Sequence, residues 1–151
     1  MVQLLTRGIR VSVEVFFEGT YFKDYKLNYS YAYQITIYNQ GKEAVQLQSR
    51  HWEIIDSLRP KSIIDGEGVV GKKPVISPGK SYTYKSGCLV TSSVGAMDGH
   101  YNFINLATTR KFRVYIPKIS TQIYKKNKLI DKNVPLLGDY IFCFHNEFNN
   151  L

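Results

Sequence analysis

The sequence predicts an all-β fold, an antiparallel sandwich or barrel, and three observations support this prediction. Apolar and polar residues alternate over several short segments, which is the period of a half-buried strand. Turn signals rich in Gly, Pro and Asn separate these segments at intervals of about ten residues, as in all-β domains. The chain also contains twelve Tyr and eight Phe, and aromatic side chains suit a pleated, half-buried sheet surface.

The first predicted strands show the alternation most clearly. Segment 9–15 alternates strictly, and its inward side chains are Ile9, Val11, Val13 and Val15. Segment 28–38 repeats the pattern with the inward side chains Tyr29, Tyr31, Tyr33, Ile35 and Ile37. Asn39-Gln40-Gly41 is then predicted to end this strand in a turn, because Asn and Gly adopt positive φ at low cost.

Segment 45–55 is predicted as a strand in which the alternation changes phase. Val45 and Leu47 are in one phase, whereas Trp52 and Ile54 are in the other. A bulge near residues 49–51 would reconcile the two phases, since one extra residue moves the side chains to the opposite face. The competing interpretation is a helix that places Trp52, Ile55 and Leu58 on one face and ends at Pro60.

The remaining elements follow from turn chemistry. Pro78 and Gly79 occupy the central positions of a type II turn over residues 77–80. Strands are predicted to follow at 81–85, 99–106 and 111–116, and Pro117 is predicted to end the last of them.

Size and composition predict one ordered domain. A chain of 151 residues with 44% hydrophobic and 21% charged residues is too apolar for disorder and has the length of a single domain. Cys88 and Cys143 form no metal or redox motif, so we expect two free buried thiols. The N-terminus has neither a signal peptide nor an apolar membrane span, which predicts a cytoplasmic location without membrane association.

The net charge of +8 predicts attraction to anions without identifying them. Eight of the twenty Lys and Arg residues follow position 100, against three acidic residues. We therefore expect a sandwich domain over residues 1–124 and a basic C-terminal extension over 125–151, which packs on or beside that domain through the apolar stretch 140–144. The extension is interpreted as a solvated face, which argues against nucleic-acid binding.

A glycine motif, GEGVVG at 66–71, matches GxGxxG. In a dinucleotide-binding domain this motif must open a helix, and Pro74 and Pro78 exclude a helix here. Two interpretations remain. The exposed amides of the three glycines could bind phosphate beside two lysines, which gives the candidate set Gly66, Gly68, Gly71, Lys72 and Lys73. Alternatively, the glycines form a β connection that requires unusual dihedral angles.

Arg50, His51 and Trp52 combine a cation, an imidazole and an indole, and they are candidates for an interaction site. The alternative is that Trp52 anchors the core while its polar neighbours pair locally. His51, His100 and His145 lack metal-ligand spacing, and neither a GxSxG elbow nor a P-loop occurs. We therefore predict a protein without a metal site, a cofactor or catalytic residues.

The motifs taken in order resemble the ApaG family. They are VQLQSRHWEI (45–54), GEGVVG (66–71), PVISPG (74–79), YKSGC (84–88) and GAMDGHY (95–101), and FRVYIP (112–117) matches the family's closing strand. The resemblance covers about residues 6–124. The chain departs from the family pattern in Lys72-Lys73, where an acidic residue is usual, in the loop 57–64, and in the extension after about residue 124.

The resemblance implies an immunoglobulin-like or fibronectin type III-like sandwich of about seven strands. It also implies an association with cobalt and magnesium resistance or efflux, a glycine motif proposed to bind pyrophosphate, and related domains in eukaryotic F-box proteins that look like binding modules. The leading hypothesis is a non-enzymatic binding domain for a protein partner or a polyphosphate-bearing ligand, and exposed edge strands make a homodimer conceivable.

Two alternatives remain open. The first is a nucleotide-hydrolysing enzyme that uses Asp65 or Glu67 beside Gly68. The second is non-specific nucleic-acid binding through the basic extension.

Overall fold

The computed structural model describes residues 1–92 and 94–122 as two antiparallel sheets. Its strands are β1 (Val2–Thr6), β2 (Ile9–Lys23), β3 (Lys26–Asn39), β4 (Val45–Asp56), β5 (Arg59–Glu67), β6 (Val75–Ile76), β7 (Ser81–Val90), β8 (Val94–Asn105) and β9 (Lys111–Gln122). The first sheet has the order β1-β2-β3-β7 and the second β5-β4-β8-β9, with β6 paired to β4. This confirms the predicted all-β sandwich, with nine strands over these residues where about seven were expected.

Among residues 1–92 and 94–122, the structure has no helix that is long and apolar enough to cross a membrane. The predicted extension 125–151 and Cys143 lie outside the described residues, so the boundary at residue 124 stays a prediction.

The core of the first sheet confirms the predicted alternation. Ile9, Val11 and Val13 are at most 1% exposed, and the inward tyrosines of β3 are buried beside Ile35 and Ile37. Each such side chain contributes roughly 1.5–3 kcal/mol on burial. Cys88 is buried, as predicted. Packing in the sandwich thus accounts for the three inward tyrosines of β3.

The phase change in β4 is caused by a bulge. The pairing of β4 with β8 shifts between Leu47 and Ser49, which leaves Gln48 as the extra residue. Because of this shift, Val45 and Leu47 before it and Trp52 and Ile54 after it are all buried. The bulge was predicted one residue later, and the strand interpretation is confirmed over the helix.

Two predicted chain breaks are wrong. Pro117 does not end the last strand, because β9 continues to Gln122. The loop 57–64 is instead mostly strand β5. Both strands lie at an edge of the second sheet, and the ladder shifts where Pro117 and Lys118 oppose Asp98. Proline is tolerated at edges and bulges because its missing N–H is not required there.

Candidate functional site

A row of polar side chains crosses the outer face of the second sheet. After the bulge, Trp52 points into the core, so its neighbour His51 points outward. His51 is in register with Asp65 of β5 on one side and with His100 of β8 on the other. His100 is in turn opposite Tyr115 of β9. The row Asp65–His51–His100–Tyr115 therefore spans all four strands and forms the centre of the candidate site.

His51 is held between two carboxylates. Its Nδ1 lies 2.6 Å from Oδ1 of Asp65, and its Nε2 lies 3.1 Å from Oε2 of Glu53. The hydrogen bond to Asp65 is the largest cause that raises the pKa of His51, and Glu53 acts in the same direction against partial burial. These contacts favour the imidazolium, which donates to both carboxylates.

His100 has the opposite electrostatic environment although it contacts His51. The two rings stack with centroids 4.8 Å apart and an angle of 19° between their planes, and Tyr115 meets His100 edge-on at 6.1 Å. Burial lowers the pKa of His100 first, and the cations Arg113 and His51 lower it further. The structure thus stacks an imidazole whose pKa is raised on one whose pKa is lowered.

The row lies in an open groove with a volume of about 1090 Å³. Its carboxylates come from β4, β5 and β8, namely Glu53, Asp65, Glu67 and Asp98, whereas β9 contributes Arg113. Lys61 pairs with Glu53 at 2.7 Å and is the largest cause that lowers the Glu53 pKa. Beside the row, Asn102 donates to Ser49 Oγ at 2.8 Å. The groove therefore contains carboxylates on β4, β5 and β8 together with the cations Arg50 on β4 and Arg113 on β9.

The structure separates the three candidates of the Arg50-His51-Trp52 segment. Only His51 belongs to the outward row. Trp52 is 5% exposed and packs edge-on against Tyr33 of the first sheet, so its indole belongs to the core. Arg50 reaches over Gly66 and donates through Nη1 to the carbonyl oxygens of Glu67 at 3.1 Å and Gly68 at 2.7 Å.

The glycine motif forms a tight β turn. Val70 and Gly71 have φ of 47° and 76°, the sign that a type I′ turn requires at both central positions. Val69 and Lys72 exchange backbone hydrogen bonds of 2.8 and 2.9 Å across it. A Cβ on Gly68 would collide with the carbonyl oxygen of Lys72. Turn geometry and close packing thus account for Gly68 and Gly71.

The same turn limits how phosphate could bind there. The amides of Gly68, Val69 and Lys72 already donate to backbone carbonyls. Gly66 lies beneath the Arg50 guanidinium, which a Cβ would approach to 2.7 Å. Lys73 pairs with Glu67 at 2.8 Å. Phosphate binding by Gly66, Gly68, Gly71, Lys72 and Lys73 therefore stays a prediction, with fewer available donors than the sequence indicated.

Several side chains of the groove were absent from the sequence-based candidates, above all His100, Tyr115 and Arg113. His100 and His51 are 49 positions apart in the sequence, and only the register of β4 against β8 stacks them. Within residues 1–92 and 94–122, no three His, Cys, Asp or Glu side chains are grouped to hold a metal ion.

Comparison with known proteins places the chain in a family. The model of the ApaG domain matches residues 19–105, which include β4, β5, the glycine turn and both stacked histidines. The chain belongs to the ApaG domain family. Protein ApaG of Brucella abortus (strain S19) is 37% identical over 131 residues, covering 87% of this chain and 100% of that protein. Protein ApaG of Methylorubrum extorquens (strain PA1) is 42% identical over 120 residues, covering 80% and 92%.

A solved structure shares the fold of this ApaG-domain chain. The putative ApaA protein from Bordetella pertussis superimposes with a TM-score of 0.70 and 30% sequence identity, covering 78% of this chain and 95% of that one. The family resemblance noted from the ordered motifs is thus confirmed by sequence and by structure.

Proposed function

We propose that this ApaG-domain chain is a non-enzymatic binding module that recognises a protein partner across the outer face of its second sheet. The observation that supports the proposal is the row Asp65–His51–His100–Tyr115, which crosses all four strands in register. With strands about 4.8 Å apart, the row is roughly 14 Å long. Its side chains are held by hydrogen bonds and ring contacts, so little conformational entropy is lost on binding.

The charges of the groove suit a protein surface. The groove presents carboxylates on β4, β5 and β8 and the cations Arg50 and Arg113, so a partner with complementary charges would be attracted in one orientation. Complementary charges of this kind determine orientation and specificity more than affinity. Tyr115 is 46% exposed and provides the aromatic contact that often dominates the binding energy of an interface.

The contacts of the titratable groups favour binding over catalysis. A general base needs a ring nitrogen within reach of substrate, but both nitrogens of His51 face carboxylates. The enzyme hypothesis relies on Asp65 or Glu67 beside Gly68, and these carboxylates pair with His51 and Lys73. Because these two carboxylates already pair with cations, we propose that any link with cobalt or magnesium efflux is indirect.

In-cell photo-crosslinking tests the proposal. Tyr115 on the second sheet and Tyr38, which lies on the outer face of the first sheet beneath Arg10, are each replaced by p-benzoylphenylalanine. We expect the residue at 115 to crosslink one defined protein and the matched residue at 38 to crosslink none. Equal crosslinking at both positions, or none at 115, would refute recognition through the second sheet.

A further inference from the structure

A second groove, of about 830 Å³, lies at one end of the sandwich and is strongly basic. Three chain reversals meet there: the β1–β2 turn, the β3–β4 loop and the β8–β9 turn. Gln40 N donates to Gly8 O at 2.7 Å, and Leu106 N donates to Ala44 O at 3.0 Å. Tyr115 N donates to Thr6 Oγ1 at 3.3 Å. These bonds link the three reversals and β9 into one framework, which we call the basic cleft.

Two asparagines hold the loops of the basic cleft in place. The fully buried Asn39 donates through Nδ2 to the carbonyl oxygens of Glu43 and Ile76, both at 2.9 Å, and accepts from Gly41 N at 2.8 Å. Asn105 accepts from the amides of Ala107 and Thr108 and donates to the Glu43 carboxylate at 2.9 Å. The cleft is therefore preorganised by groups within the protein.

The charge of this cleft is almost all of one sign. Its five cations are Arg7, Lys42, Arg110, Lys111 and Arg113, and its carboxylate is Glu43. Among the residues that the structure describes, none of these five cations forms a salt bridge. Gathering like charges on fixed loops destabilises the native state, and a bound anion would relieve this repulsion.

We propose that the basic cleft binds a compact polyphosphate group, either as a free anion or as the end of a larger molecule. Three of its five cations are arginines, whose planar guanidinium groups bind phosphate oxygens in pairs. The volume lies within the usual range for small-ligand sites, and the cations converge on one cleft instead of forming a long track for a nucleic-acid backbone.

This inference goes beyond the proposed function, because it assigns a different surface and a different class of ligand. It also differs from the glycine-motif prediction, which places phosphate beside Lys72 and Lys73. Arg113 and Tyr115 line both grooves. Arg110 and Lys111 line the basic cleft and do not line the groove of the second sheet. Variants at positions 110 and 111 therefore test the cleft without altering the protein-binding groove.

Isothermal titration calorimetry of the full chain with sodium tripolyphosphate tests the inference. We expect Arg110→Gln/Lys111→Gln to weaken binding at least about ten-fold, since hydrogen bonds to charged groups contribute that much. The control variant Lys72→Gln/Lys73→Gln also removes two positive charges, but outside the basic cleft, and it should leave the affinity for tripolyphosphate unchanged. If ATP binds more tightly than tripolyphosphate, the ligand is the polyphosphate end of a larger molecule. If ATP binds more weakly, the ligand is a free polyphosphate anion.

Four results would overturn the inference. They are no binding of tripolyphosphate to the unmodified chain, equal affinity of the Arg110→Gln/Lys111→Gln variant, an equal loss in the Lys72→Gln/Lys73→Gln control, and tighter binding of citrate or of single-stranded DNA than of tripolyphosphate. All four substituted side chains are exposed, so we expect both variants to fold, and their thermal unfolding checks this.

Discussion

The pKa values of the two stacked histidines are shifted in opposite directions because their neighbours differ. His51 gains two carboxylate partners, whereas His100 is partly buried and lies near Arg113 and His51. The stabilisation from His51 is fully present below its unfolded pKa of about 6.5 and is lost as pH rises through the raised folded pKa. His100 contributes in the other direction: its stabilisation is present above the unfolded pKa and is lost as pH falls through the lowered folded pKa.

Nuclear magnetic resonance titration of the imidazole nitrogens measures this difference. We predict that His51 titrates at higher pH than His100, and that Asp65→Asn moves the His51 pKa down because it removes the main cause of the upward shift. Arg113→Gln should move the His100 pKa up by removing a nearby cation. A His51 pKa at or below that of His100 would contradict the geometry of the row.

The sequence pointed to His51 and Asp65 separately, but it did not predict that these two residues lie in one row with His100 and Tyr115. His51 was recognisable because it combines with Arg50 and Trp52 to give a cation, an imidazole and an indole at adjacent positions. His100 and Tyr115 gave no comparable signal, because their proximity depends on strand register across the sheet. Register is determined by the complete set of hydrophobic contacts and bulges, which short motifs do not contain.

At the scale of elements, the glycine turn between β5 and β6 is determined by backbone geometry. The sequence correctly excluded a helix after this motif, because prolines follow it, and it left open whether the glycines bind phosphate or build a β connection. The positive φ of Gly68 and Gly71 shows that a β connection is present. Chain breaks were predicted less well, since Pro60 and Pro117 lie within edge strands whose pairing the sequence does not reveal.

Two alanine substitutions separate the roles of these glycines. Both positions have positive φ, so each variant should lose roughly 1 kcal/mol of unfolding free energy. Gly68→Ala also places a Cβ against the Lys72 carbonyl, whereas a Cβ on Gly71 meets no atom within 4 Å. We predict a loss about 1–3 kcal/mol larger for Gly68→Ala in urea unfolding. Equal losses would show that the turn relaxes freely.

For the whole molecule, the net charge of +8 divides into distinct surfaces. Acidic and basic groups face each other across the groove of the second sheet, and five cations gather in the basic cleft at one end. The sequence predicted an attraction to anions and pointed to two basic features, Lys72-Lys73 and the extension 125–151, the second of which lies outside the described residues. The cleft was not predicted because its cations come from three separate chain reversals and from the start of β9, which only the folded sandwich brings together.

Affinity measurements with the crosslinked partner test most directly whether the outer face of the second sheet binds a protein. Asp98→Lys reverses a charge on central strand β8 of this face, and Glu14→Lys reverses a matched charge on central strand β2 of the opposite sheet. We predict at least about 100-fold weaker binding for Asp98→Lys, the size expected when like charges are opposed at an interface, and unchanged binding for Glu14→Lys. Equal affinity of the two variants for the partner would rule out binding through the outer face of the second sheet.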